Sequence, residues 1–369
     1  MTPRERVQAV YRREKPDRVP LMLDLSHWYK KNRNRPFDLA GFTAVENELV
    51  ELHKTVGAVA YVEMGSFFSL EFTTPGISVD RWTESGVFHT RIATPNGAIE
   101  ERRVFNTASY SYAIEKYLLE SVDDFPVVCT MMDSCRARPN WELYRAWEKA
   151  LGEYCYIYAA IPYSGLGYLI SRYYGVENTV YTAFDYPEET RALVDAVNAA
   201  NLRILDELLD GPFETVFMSD NFDSNVQTKE LFETYSRDYY SEVARRTHAA
   251  GKYLAVHVDG EMRGALSWMR DAGVDCIDAV TPAPMFSLTP REARTEAGPN
   301  LILSGGIPPT VFGSMGSDRE FEDSVRSWLE TREESHSLFL AAGDQVPPDA
   351  PFHRIAALDG LVERFGRYS

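Results

Sequence analysis

From residue 154 onward the chain alternates short apolar runs with stretches of helical periodicity, and this alternation restricts the fold more than any other feature of the sequence. The runs are Tyr154–Ile161, Thr215–Met218, Tyr253–Val258, Cys276–Val280, Leu301–Ser304 and Leu338–Ala342. Each has the length of a buried strand and is followed by enough residues for a helical crossover, the mark of parallel strand–helix units. Two earlier runs, Arg18–Asp24 and Ala58–Met64, bring the count to eight. Eight such units predict an α/β protein with a (β/α)8 TIM-like barrel.

The helices carry their own punctuation. Thr2-Pro3-Arg4-Glu5 and Ser317-Asp318-Arg319-Glu320 have the form of capping boxes, and Asp185-Tyr186-Pro187-Glu188-Glu189 combines a cap, a proline and an acidic first turn. Residues 77–105 differ: β-branched and aromatic residues alternate with charges around Glu84-Ser85-Gly86 and Pro95-Asn96-Gly97, which predicts an antiparallel β insertion near the N-terminal half. With no linker, repeat or low-complexity tract in view, residues 1–369 are expected to form one domain.

Composition excludes several function classes. A formal net charge of -17 repels phosphate backbones and anionic membranes, so nucleic acid is not an expected partner. No apolar stretch approaches membrane-spanning length, and the start Met1-Thr2-Pro3-Arg4-Glu5-Arg6 lacks the apolar core of a signal peptide; a cytoplasmic protein without membrane association is expected. Cys129, Cys135, Cys155 and Cys276 show neither disulfide nor zinc-knuckle spacing and read as buried, reduced thiols.

In a parallel barrel, polar residues just past the strands converge on one mouth. Here they are Asp24 with His27, Glu63, Asp220-Asn221-Phe222-Asp223, His257 with Asp259, Asp278, Ser304 and Asp344. His257 and Asp259 flank Val258 in an extended segment, so both can face the same side. With Asp344 they could converge on one metal ion. The alternatives are a core histidine followed by an Asp-Gly turn, an Asp344 that serves only the turn before Pro347-Pro348, and Asp220 and Asp223 as caps or loop structure.

Several segments together resemble the uroporphyrinogen decarboxylase superfamily, which includes cobalamin-linked methyltransferases acting on methylated substrates or on coenzyme M. They are residues 2–7, 15–20, 162–168, 257–260, 271–275, 303–309 and 343–351, nearly the whole length. The resemblance implies a distorted (β/α)8 barrel. Decarboxylase members carry an arginine-rich segment after the first strand to hold a porphyrinogen's carboxylates; here Pro20-Leu21-Met22-Leu23-Asp24-Leu25-Ser26-His27-Trp28 stands instead, which argues against that substrate. The C-terminal Gly-His-Gly of decarboxylases is likewise replaced by Gly343-Asp344-Gln345.

Methyltransferase members bind zinc through His, Cys and Cys, and His257, Asp259 and Asp344 occupy those three places. Two carboxylates for two thiolates keep the ligand charge and make the site harder. The resemblance therefore implies a metal-dependent methyltransferase, with zinc or another divalent metal polarising a small O- or N-methylated donor, and a corrinoid carried by a separate protein. Asp223 and Glu63 are the expected catalytic groups, and His27, Tyr163, Asn221 and Asp24 the expected substrate-binding ones, with Asp220 assigned to structure. A homodimer is the assembly allowed for. The rival readings are a metal-free decarboxylase-like lyase, with Asp259 or Asp344 as proton donor, and a non-catalytic small-molecule binder.

Overall fold

The computed structural model describes residues 1–36, 41–61 and 67–369. Its strands, in chain order, are β1 (Met22–Leu23), β2 (Val59–Ala60), β3 (Phe68–Phe72), β4 (Ser78–Glu84), β5 (Val87–Thr94), β6 (Gly97–Asn106), β7 (Ser111–Lys116), β8 (Cys135–Pro139), β9 (Ala159–Ile161), β10 (Thr215–Phe222), β11 (Tyr253–Val258), β12 (Cys276–Val280), β13 (Ile302–Ile307) and β14 (Leu338–Ala342). Strands β9 to β14 form one parallel sheet in sequence order, and β1 pairs in parallel with β2. Single parallel bridges, Leu21 to Leu340 and Ala60 to Cys155, tie this pair to both ends of the larger sheet. The eight expected strand segments thus follow one another in a TIM-like α/β arrangement, with parallel ladders within the sheets and single bridges at the two seams.

Strand alternation sorts the core. Leu254, Val256 and Val258 of β11 face the helices in the largest apolar cluster, whereas Tyr253 and Ala255 face inward. The inner cluster joins Met22, Tyr61, Tyr156, Tyr158, Phe217, Cys276 and Phe339 to Val7, Val10 and Tyr11 of the helix Pro3–Tyr11. That helix starts with the expected Thr2 capping box and brings the Tyr11 hydroxyl to 2.7 Å from that of Tyr158. It covers the end of the barrel where the strands begin. Toward the other end the filling stops: Tyr156 and Tyr158 are buried, but Ala160, next on the same face, is exposed. The missing bulk leaves an open mouth at the strands' C-terminal ends.

The β insertion is present and larger than residues 77–105. Strands β4 to β7 form an antiparallel meander, and β3 and β8 pair beneath it. Expected turns at Ser85-Gly86 and around Asn96-Gly97 lie between its strands, whereas β7 lies beyond the expected residues 77–105. The Ser317 capping box also forms, before the helix Asp318–Glu330. The expected Asp185 cap does not: Asp185 is the last residue of the preceding helix Val176–Asp185, and Tyr186 precedes Pro187–Leu208 without a side-chain cap. All four cysteines are free, with Cys135, Cys155 and Cys276 buried and Cys129 half-buried. Among the described residues no helix is long and apolar enough to cross a membrane.

Candidate active site

Seven of the polar groups expected past the strands meet around the mouth. His257 points inward from β11, its ring centroid 5.9 Å from that of Phe217. Its Nδ1 lies 3.1 Å from Asp278 Oδ2, and the other oxygen of Asp278 accepts a 3.1 Å hydrogen bond from Ser304 Oγ. The three residues sit on adjacent strands β11, β12 and β13, with His257 directly opposite Asp278 in the parallel register. Asp278 is only 3% exposed, and these two contacts satisfy its buried carboxyl oxygens.

The other imidazole nitrogen, Nε2, faces Asp344 Oδ1 at 3.9 Å, beyond hydrogen-bond range. Burial alone would disfavour a charged His257. The hydrogen bond to Asp278 and the Asp344, Asp278 and Asp259 carboxylates outweigh it and raise the imidazole pKa to about 9. For Asp344, desolvation raises the carboxyl to about 6, opposed by His257 and reinforced by Asp259. Its side chain nevertheless keeps 45% of its accessible surface, because it stands on the wall of an open cavity rather than inside a closed core. Three carboxylates around one imidazole leave an excess of negative charge that favours a proton or a cation between them.

Two β-bulges shape this mouth. The β10–β11 register shifts between Met218 and Phe222, and the β12–β13 register shifts between Ile277 and Val280. Each bulge contains a non-glycine residue at positive φ, Asn221 at 45° and Ala279 at 66°. Such backbone is uncommon outside glycine and re-aims side chains at a sheet rim. Asn221 reaches Asp259 Oδ2 with Nδ2 at 3.5 Å and accepts from the Tyr163 hydroxyl at 3.3 Å. Asn221 and Tyr163 therefore stand together beside Asp259.

Asp223 lies against the glycine of the His257-Val258-Asp259-Gly260 motif. A methyl group at Gly260 would overlap Asp223, which explains the glycine by close approach. Asp223 Oδ1 also accepts from the Asn225 backbone at 2.8 Å, so this carboxylate organises a turn as well as facing the motif. Asp220 is wholly buried and accepts from Ser164 N (2.6 Å), Ser164 Oγ (2.8 Å) and the Tyr240 hydroxyl (2.5 Å), the structural role expected of it. Desolvation raises its pKa against those three donors.

On the opposite side, Asp24 accepts from Ser26 N at 2.8 Å, and its carbonyl accepts from Val346 N at 3.0 Å, which ties the Gly343–Pro348 segment to the end of β1. His27 Nε2 lies 3.0 Å from the carbonyl of Tyr110, at the turn between β6 and β7. The insertion thus reaches back over the mouth. Burial lowers the His27 pKa despite hydrogen bonds to the Tyr110 carbonyl and to neighbours that include Gln345. Glu63 lies outside the described residues. Among the described residues no three His, Cys, Asp or Glu side chains stand close enough to share a metal ion: His257, Asp259 and Asp344 are neighbours but not a closed ligand set.

Sequence reasoning named Asp278 and Ser304 as strand-end groups without giving them a role, and it did not single out Arg172. The arginine projects from the π-helical turn Leu169–Tyr173 and donates to the Tyr163 hydroxyl at 3.1 Å. Its only sequence signal was proximity to the 162–168 segment, because π-helical turns have no simple residue pattern.

Comparison with known proteins agrees with this architecture. A methyltransferase from Methanosarcina mazei shares the fold over 99% of both chains, with a TM-score of 0.64 and 12% sequence identity. A mandelate racemase/muconate lactonizing enzyme from Jannaschia sp. CCS1, at 8% identity and a TM-score of 0.16 over 82% of this chain and 97% of its own, is too dissimilar to bear on the fold. No curated protein matches the sequence. The family model described as Uroporphyrinogen decarboxylase (URO-D) matches residues 158–365, from the approach to β9 into the last helix and more than half of the chain. The chain therefore belongs to the uroporphyrinogen decarboxylase family.

Proposed function

We propose that the protein is a metal-dependent methyltransferase that moves a methyl group from a small O- or N-methylated donor to a corrinoid held by a partner protein. The observation that carries this reading is the orientation of His257. Its Nδ1 is engaged by a buried carboxylate that is itself held by Ser304, and its Nε2 faces the mouth beside Asp344. Metal-binding histidines are commonly oriented in this way by a carboxylate on the far ring nitrogen. The surplus of carboxylates suits a divalent ion, and one imidazole with two carboxylates is a chemically sound donor set.

His257, Asp259 and Asp344, neighbours that do not form a closed ligand set as they stand, would hold the ion once their side chains draw together on it. When bound, it would act as a Lewis acid on the donor's oxygen or nitrogen and make the attached methyl group more electrophilic. Asp278 fixes the His257 ring. Asn221 and Tyr163 orient the donor beside Asp259, Asp24 and His27 line the facing wall, and Asp223 and Glu63 are the groups assigned to the chemical step. The shared fold of the Methanosarcina mazei methyltransferase and the motif resemblance support methyl transfer over other chemistry.

The test is a screen of methyl ethers and methylamines with reduced corrinoid carrier, followed by Co(I) absorbance, together with zinc analysis of protein purified without added metal. Near-stoichiometric zinc that is lost in Asp344→Ala, with loss of Co(I) absorbance for one donor, is the expected result; failure across both donor classes would overturn the proposal. One observation favours a second reading. The Asp344 carboxyl, raised to about 6, is poised to deliver a proton in a metal-free decarboxylase-like reaction, which predicts activity that survives chelation.

A further inference from the structure

Arg172 is a cation at the mouth with no acidic partner among the described residues. Its guanidinium donates to the Tyr163 hydroxyl at 3.1 Å, and its Cζ lies 5.2 Å from the centre of the Tyr163 ring. Tyr163 leads to Asn221 and Asn221 to Asp259, so three links connect Arg172 to the residue beside His257. Among the described residues it forms no ion pair. The acid that acts on it electrostatically is Glu101 of β6, and that carboxylate is held by Arg103 at 2.7 Å. One positive charge is left over in this corner.

A partly buried guanidinium without a counter-charge is costly, and its planar fork matches a carboxylate better than any neutral group. It stands on a π-helical turn, a wide turn common at functional sites. The chain as a whole carries a net charge of -17 and repels anions, so a single local cation suits a ligand with one anionic group rather than several. We propose that Arg172 anchors the carboxylate of the methylated substrate, and that the substrates are methylated monocarboxylic acids rather than neutral ethers or simple amines. The identity of the ligand as a methyl donor rests on the function proposed above; the anion site itself does not.

Calorimetric titration of the full-length protein with matched probes tests the idea: 4-methoxybenzoate against methoxybenzene, and N,N-dimethylglycine against trimethylamine. At least one carboxylate is expected to bind about tenfold or more tightly than its neutral or cationic counterpart, as a charge-assisted bidentate contact would give. Arg172→Gln should abolish that preference while leaving the weaker probe unchanged, and Arg172→Lys should restore part of it. Arg172→Met, which keeps the stem, repeats the test if the glutamine variant does not fold. Equal binding within both pairs, no binding of either carboxylate, or a preference that survives Arg172→Gln overturns the proposal. The readout needs neither corrinoid nor turnover. A carboxylate preference without methyl transfer therefore sinks the methyltransferase reading alone, and methyl transfer without the preference sinks the Arg172 site alone.

Discussion

His257 Nδ1 and Asp278 Oδ2 lie 3.1 Å apart on directly opposed positions of β11 and β12. Parallel pairing puts both side chains on the inner face, and Asp278 stands within the register shift between Ile277 and Val280. The contact selects which imidazole nitrogen faces the mouth. Under the proposed function, Asp278 is therefore a positioning residue rather than a catalytic one.

Asp278→Ala should therefore leave the fold intact but release the His257 ring. Loss of such a carboxylate partner typically weakens metal affinity or activity by roughly 10- to 100-fold. Zinc titration and the absorbance assay together check this, and an unchanged zinc affinity would show that the contact is incidental.

Asp220 makes the opposite prediction. Asp220→Ala strands the donors on Ser164 and Tyr240 inside the protein, at a cost of roughly 3 kcal/mol in stability. Denaturant unfolding should shift strongly, while the variant that remains folded keeps its metal affinity.

Gly260→Ala tests close approach. The new methyl group would overlap Asp223, and pushing the two apart should cost about 1–3 kcal/mol. A companion Asp223→Gly change, which removes the overlapping Cβ as well as the carboxyl group, should relieve most of that loss in a double-mutant cycle. Simple additivity would contradict the contact.

His53 provides a pH test remote from the site. Its Nδ1 lies 3.2 Å from the Ala58 carbonyl, and full burial lowers its pKa from 6.5 to about 4. The folded protein holds the ring neutral, while the unfolded chain protonates it near 6.5. This contribution is present above pH 6.5 and is lost as pH falls toward 4, with a total of roughly 3 kcal/mol. Urea melts between pH 7 and 4 should show this slope, and His53→Gln should lack it.

Much of the fold was legible because strand alternation and helix caps are local. Six apolar runs overlapped β9 to β14, although β9 kept only the last part of Tyr154–Ile161 and β10 ran on from Met218 to Phe222, and the Thr2 and Ser317 boxes formed as written. The Asp185 cap failed for a tertiary reason, since a second helix ends where that cap would begin. At the site, the structure places Asn221 beside Asp259, and His257 beside Asp278 and Asp344, all residues at or just past strand ends. Which of them orients which could not be read, because Asp278 lies 21 residues from His257 and their contact depends on register.

The sequence by itself determined the set of barrel strands, the polar groups at their C-terminal ends, and the replacement of two expected thiols by Asp259 and Asp344. Tertiary structure decided the rest: the tie between His257 and Asp278, the burial of Asp220 among its donors, the reach of the insertion to His27, and the placement of Arg172 beside Tyr163. The physical reason is the range of the forces involved. Strand and cap preferences act over a few residues, whereas charge pairing, burial and backbone overlap exist only between segments that the fold has already brought together.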